Sequence, residues 1–359
     1  MKQLFYTFLL FTSLQVSAQS RDDLYRDAYT KLTEMLEGER EISFKEAVFS
    51  VENAYSMGML DTIFFNSEIK VLTSLAKKLN ESRKLTYDEN DKKIVSKYAS
   101  LFSVMNDTVP IETKTEKFNY IPFRYDFEDV FGHEHWNSMF VTKLLETRKG
   151  NCHSLPYLYK ILAEELGIGK ETHLALAPNH IYIKHRNIKN GWYNTELTSG
   201  IFPVDAWLMA SGFIHIDAIS NGVYMKALTE KESIALCLVD LAQGYQKSMF
   251  YDNNLVLEII NKSLKYFPNN VNAMITKVEA QKVQLEELLT KHRGKFPKDI
   301  YKYPETTKLL QEIEKELSKI HQLGYRKMPK EMYLDWLVSL KEEKSKYANK
   351  NIHTFTKPN

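Results

Sequence analysis

The sequence is poor in the residues that staple, break or bend a chain. Only two of its 359 residues are cysteine, 13 are glycine and 10 are proline. Two cysteines exclude a disulfide-built scaffold in a chain this long. They leave three readings of Cys152 and Cys237: a single disulfide, two buried apolar residues, or one reactive thiol. Little glycine and proline, with abundant lysine, glutamate and leucine, points to a mostly helical chain. Charge of one sign is also missing. The 48 basic and 46 acidic residues leave a net charge of +2, which excludes the electrostatic footprint of a nucleic-acid or anionic-membrane binder. No apolar run approaches the roughly 20 residues that a membrane-spanning helix needs, so no stable membrane insertion is expected. What is present, 43% hydrophobic and 26% charged residues, is the composition of a folded protein.

The first residues read as a targeting segment. Met1 and Lys2 give a basic start, Leu4 to Leu14 an apolar stretch, and Val16-Ser17-Ala18 a small-residue cleavage site. Residues 1–18 are therefore expected to be a secretory signal peptide cleaved near Ala18, with the mature protein exported to a periplasm or secreted. The rest separates into a helical N-terminal region (19–118), a mixed core (119–228) and a helical C-terminal region (229–359).

In the first region, Ser43 with Glu46 reads as an N-cap and its capping-box glutamate. Val48, Val51, Ala54 and Tyr55 then share a face, as do Ile69, Leu72, Leu75 and Leu79. In the core, a helix over about 152–166 carries Leu155, Leu158, Ile161, Leu162 and Leu166, and Gly167 stops it. Strand-like runs follow at Thr172–Ala177, His180–Lys184 and Trp192–Leu197. One helix before a small antiparallel sheet is an α+β arrangement. In the last region, Leu264 to Pro268 and Leu323 to Pro329 each end a helix with a proline before another begins. That punctuation is of tetratricopeptide type, in a loose form.

Three elements carry chemistry. Gly150-Asn151-Cys152-His153-Ser154 delivers a cysteine to the start of a helix, where unpaired N–H groups favour a thiolate. Pro156 fits only near such a start. His180 opens a strand after Pro178-Asn179 and could take and return a proton. Glu196, after Trp192, could hold the imidazole tautomer; Asn194 and Asp205 are the alternatives for that role. The Cys152 N–H is an oxyanion donor by position, and Trp136, Asn151 and His153 are further oxyanion or cleft candidates. His133-Glu134-His135 lacks the spacing of a metal site, so no metal and no cofactor is assigned, and those histidines are read as cleft-lining residues.

Taken together, Lys149-Gly-Asn-Cys-His-Ser154, Tyr157-Leu-Tyr159, Leu162 to Gly167, Ala177-Pro-Asn-His180 and Asn194-Thr-Glu-Leu-Thr198 resemble the transglutaminase-like branch of the papain-like thiol fold. More narrowly, the chain resembles the bacterial members whose core precedes tetratricopeptide repeats. The resemblance covers roughly residues 120–205 and implies a Cys–His–acid triad. Many such cores have aspartate where Glu196 stands. It implies a cysteine hydrolase or acyltransferase acting on a peptide or protein through a thioester, with a partner protein possible on the C-terminal helices. The competing reading is a non-catalytic interaction module built on the same fold. A tight hairpin at Asn190-Gly191 would set His180 opposite Ile201 and Glu196 opposite His185. A working triad wants His180 opposite Glu196, so a wider loop over about 185–191 is expected.

Overall fold

The computed structural model describes residues 20–112 and 116–351; the signal-peptide segment lies outside them. Four helices come first: α1 (Arg21–Glu37), α2 (Phe44–Tyr55), α3 (Thr62–Ser82) and α4 (Lys92–Asn106). Ser43 caps α2 by accepting the Glu46 N–H, but the glutamate does not reach back to complete a box. Its carboxylate instead pairs with Arg40 at 2.7 Å. The cap alone is worth about 1 kcal/mol. A hairpin of β1 (Val109–Glu112) and β2 (Lys117–Tyr120) follows, in a stretch expected to be helical.

The centre of the molecule is α6 (Ser154–Glu165). It is not the one-faced amphipathic helix expected: every residue from Ser154 to Ala163 is buried. The reason is its position, in contact with α2, α3, α4 and the short helix α5 (Val141–Thr147). A helix enclosed on all sides needs no polar face. Lys160 is the one charged residue so enclosed, and it donates to the Thr172 and Gly169 carbonyls at 2.8 and 3.3 Å. Burial lowers its ammonium to about 8. Three residues before α6 begins, the parallel pairing of β3 (Arg124–Tyr125) with β4 (Lys149–Gly150) fixes the approach of the chain.

Beyond α6 lies an antiparallel sheet of β5 (His173–Ala177), β6 (His180–Asn187) and β7 (Gly191–Thr195), in that order. The β5–β6 connection is the pair Pro178-Asn179, with Asn179 at φ 57°. Proline followed by a left-handed asparagine is the residue order of a type II turn. The outer edge of β5 is covered by the following chain, since Met225 and Leu228 donate to the Leu176 and Leu174 carbonyls at 2.9 Å. The molecule is thus mixed helix and sheet, α+β, with its sheets small.

Two short helices, α7 (Asp205–Ser211) and α8 (Ile216–Ser220), lead to α9 (Glu230–Gln246), α10 (Asn253–Tyr266), α11 (Val271–Lys291) and α12 (Pro304–Gln322), each packed on the one before from α10 onward. Helix α9 also packs on α1 and α2. One apolar core runs from Tyr25 to Leu337, and a small satellite of Val278, Leu285, Leu289, Ile300, Leu309 and Ile313 joins α11 to α12. The last helix, α13 (Lys330–Asn351), returns to the start of β6, where Tyr333 and Trp336 lie against His180. Among the described residues no helix is long and apolar enough to cross a membrane.

Candidate active site

The two cysteines do not pair; both are free and buried. Cys237 lies inside α9, where burial pushes its thiol well above the ordinary range. Cys152 sits in the turn before α6. Gly150 permits that turn, because a Cβ there would lie 2.5 Å from Ser154 Oγ and 2.7 Å from Leu144 Cδ1. Asn151 then caps the helix. Its Oδ1 accepts the His153 and Ser154 N–H groups at 3.0 and 3.1 Å, while its own N–H donates to Ser154 Oγ at 3.1 Å. Both remaining donors of its amide are used, on Val130 O and Met139 Sδ. Asn151 is therefore a cap and not an oxyanion donor. The Cys152 N–H makes no hydrogen bond among the described residues and stays available for that role.

His180, at the first position of β6, brings its imidazole beneath this turn. Its Nε2 bonds Glu196 Oε2 at 2.6 Å, and the other carboxylate oxygen accepts the Thr198 N–H at 2.8 Å. His180 and Glu196 are 3% and 1% exposed. Burial disfavours the imidazolium, but the Glu196 charge, the neighbouring Cys152 sulfur and the hydrogen bond to Glu196 outweigh it and raise His180 to about 10. Burial likewise opposes the Cys152 thiolate. The adjacent His180 and its charge, the Tyr333 hydroxyl and the nearby His153 overcome it and lower the thiol below its ordinary value. Both directions favour an ionised sulfur beside a protonated imidazole, with the Glu196 carboxylate behind the ring, in an enclosed setting where charges attract strongly.

The alternatives for the acid lie elsewhere. Asn194 donates to Pro203 O and to Asp205 Oδ1, at 3.0 and 2.7 Å. Asp205 is exposed and also faces Lys184 at 3.5 Å. Glu196 is the group on the histidine. The register differs from the expected one: Asn187 faces Gly191 and Ile183 faces Thr195, so the connection is the three residues 188–190 and not a loop over 185–191. The Asn187 side chain tightens it by accepting the Asn190 N–H at 2.7 Å. Glu196 reaches His180 as a diagonal neighbour, within range of a long side chain, after leaving the ladder to bridge Ile201.

The other cleft candidates are displaced. Trp136 packs on α9, with its indole nitrogen against Gly244 and Lys247 over its ring. His153 points away from the thiol, with Nδ1 on Met139 O at 2.9 Å and Nε2 on Asp240 at 3.2 Å. His133 and His135 are on an exposed loop whose N–H groups bond the Asp129 carboxylate. Of these, only His133 touches the cleft indirectly, stacked on Phe131, which in turn meets Tyr333.

Three aromatic residues complete the site and escape the sequence reading. Tyr125 is brought alongside by its pairing with Gly150, and burial and the Cys152 charge push its hydroxyl up. Tyr333 donates to Cys152 Sγ at 3.0 Å and lies 3.3 Å from His180 Nδ1. Trp336 stands edge-on to the His180 ring, with centroids 4.6 Å apart. The spacing of Tyr333, Trp336 and Leu337 marks one face of a helix, but nothing local says what that face meets. A cavity of about 780 Å³ walled by Tyr98, Tyr159, His185, Tyr193 and Phe202 lies beside β7 and includes none of Cys152, His180 and Glu196.

No family model matches the chain, and no curated protein matches it. Among solved structures, the crystal structure of menin, described as revealing the binding site for Mixed Lineage Leukemia (MLL) protein, is similar over 75% of this chain and 67% of that one. The identity is 10% and the TM-score 0.35, a likeness that carries no argument about fold or function.

Proposed function

We propose that this chain is a transglutaminase-like thiol enzyme that cleaves or transfers an amide or acyl group, with Cys152, His180 and Glu196 as its triad. The observation that carries the reading is the bridging imidazole: Nε2 is held by Glu196 at 2.6 Å, and Nδ1 faces the Cys152 side through a shared hydroxyl. The thiolate attacks a carbonyl carbon, and the Cys152 N–H receives the developing oxyanion. The imidazolium gives its proton to the leaving amine as the carbon–nitrogen bond breaks. A thioester remains. The neutral imidazole then takes a proton from water or an acceptor amine as that group attacks, and the thiolate is restored. A carboxylate on Nε2 keeps the ring in the tautomer this needs. Under the same reading, residues 119–228 are the catalytic core, the helices after 229 are degenerate tetratricopeptide-like hairpins, the enzyme is exported, and its substrate is a peptide or protein.

The alternative, a non-catalytic interaction module, is favoured by one observation: Cys152, at 4% exposure, and both its partners are buried. Iodoacetamide labelling across pH separates the two. The enzyme reading expects Cys152 alone to be alkylated, with a half-maximal rate at a pH well below the roughly 8.5 of a free thiol, and a thiol-directed activity probe to fail on Cys152→Ala. A half-maximal rate at or above the free-thiol value would defeat it.

A further inference from the structure

We propose that the first two turns of α13, residues 330–337, are a tethered plug of the catalytic cleft that competes with substrate. The inference rests on the thiol-enzyme reading for what the cleft does, and on geometry for what fills it. Tyr333 places one hydroxyl between nucleophile and base, 3.0 Å from Cys152 Sγ and 3.3 Å from His180 Nδ1. A leaving group collecting the His180 proton would need that same space. The O–H also engages the sulfur electron pair that has to attack. Around it, Trp336 covers the His180 ring edge-on and donates to Ser211 Oγ at 3.1 Å. The Tyr333 ring meets Phe131 with centroids 5.1 Å apart. Asn179, beside the histidine, donates to Met328 O at 3.3 Å.

The segment is built to leave. Within 330–337 only Tyr333, Trp336 and Leu337 are buried, while Glu331, Met332 and Asp335 face solvent. Residues 325–329 before it have no regular secondary structure. Upstream the chain is pinned: a Cβ at Gly324, whose φ is 88°, would lie 2.5 Å from Ala218 N. Lifting the plug withdraws three buried side chains, Tyr333, Trp336 and Leu337, from the C-terminal end of the core, a local opening of one segment distinct from global unfolding. While it is seated, no acyl group reaches the sulfur. A polypeptide entering the cleft has to displace an aromatic knob and an indole, so the chemistry that fits is an apolar or aromatic side chain next to the scissile carbonyl.

The test uses the full chain and iodoacetamide at neutral pH, with the Cys152 peptide followed by mass. Trp336→Ala, which removes an anchor and touches no triad bond, should speed alkylation by about tenfold, as expected when a closed state loses a contact that holds it. Tyr333→Phe, which keeps the ring, should also speed it, by less. An unchanged rate in Trp336→Ala, or slower labelling in Tyr333→Phe, overturns the plug, the latter because Tyr333 would then be assisting the sulfur. Should Trp336→Ala misfold, wild type in low urea serves instead. Its labelling should rise while helical circular dichroism is unchanged; a rise only with global unfolding overturns the proposal. The pH profile of the opened variant separates the two readings. A free-thiol profile with fast labelling sinks the enzyme and leaves the plug standing; slow labelling with a thiolate profile does the reverse.

Discussion

His180 Nε2 donates to Glu196 Oε2 at 2.6 Å although the two residues do not face one another in the sheet. The bond is diagonal, made by a long carboxylate at the point where β7 leaves the ladder. A shorter acid at the same position would stop a methylene short, which gives the glutamate a geometric reason to be here.

Replacing Glu196 by Gln keeps the shape and removes the charge. The first support for a protonated His180 is then gone, and with it the imidazolium that lowers Cys152. The expected outcome is a thiol-alkylation profile displaced to higher pH. Breaking one side of a buried ion pair also costs about 3–5 kcal/mol, to be read by urea unfolding. An alkylation profile that overlays wild type would remove Glu196 from the triad.

The pair makes a specific statement about pH and stability. His180 is raised from 6.5 to about 10, so its contribution is complete below pH 6.5 and is lost as pH rises through the folded value. Cys152 is lowered from 9.0, so its contribution is complete above that pH and is lost as pH falls through the folded value. Between the folded thiol value and 9.0 the two slopes oppose each other: above pH 6.5 in that window the folded pair and the unfolded pair hold the same single proton, differently placed. Cys152→Ala leaves only the histidine side. Its stability relative to wild type should therefore fall as pH rises across that window, by at most about 1.4 kcal/mol per pH unit. Urea titrations at about pH 6.5, 7.5 and 8.5 measure it. A difference that does not vary with pH would mean that the folded pair is a neutral thiol and imidazole.

Gly150→Ala tests how Cys152 is held. The added Cβ collides with Ser154 Oγ and Leu144, and both neighbours are fixed, one in the Asn151 cap and one in the core. Overpacking of this kind costs about 1–3 kcal/mol. The turn carrying Cys152 would shift, so the alkylation profile should move toward that of a free thiol. A change in stability below about 0.5 kcal/mol, the ordinary effect of a surface substitution, would show that the turn has room.

The parts of the site that follow from local chemistry were legible in the sequence. A glycine before Asn-Cys, a proline in the first turn and a Pro-Asn before His180 are short-range signals, and the structure uses each where it stands. What was not legible depended on competition or on distant chain. Glu46 could have closed a capping box but pairs with Arg40. The loop expected over about 185–191 is the three residues 188–190, because the Asn187 side chain claims the Asn190 N–H. Trp136 is close to Cys152 in sequence but is held by the bare backbone of Gly244. Tyr333 reaches the sulfur because α13 returns to the sheet after α12, a path written in no local pattern.

The burial of α6 on every side has a mechanical consequence. Helices α2, α3, α4 and α5, which bear none of Cys152, His180 and Glu196, are the bearings in which the shaft carrying Cys152 is seated. Sulfur and imidazole ride on different parts, one on that shaft and one on the sheet, so their alignment is a tolerance set by methyl and methylene packing in helices remote from both. Wear in any bearing, a lost methyl in α2 or α4, is felt at the sulfur as a change of height.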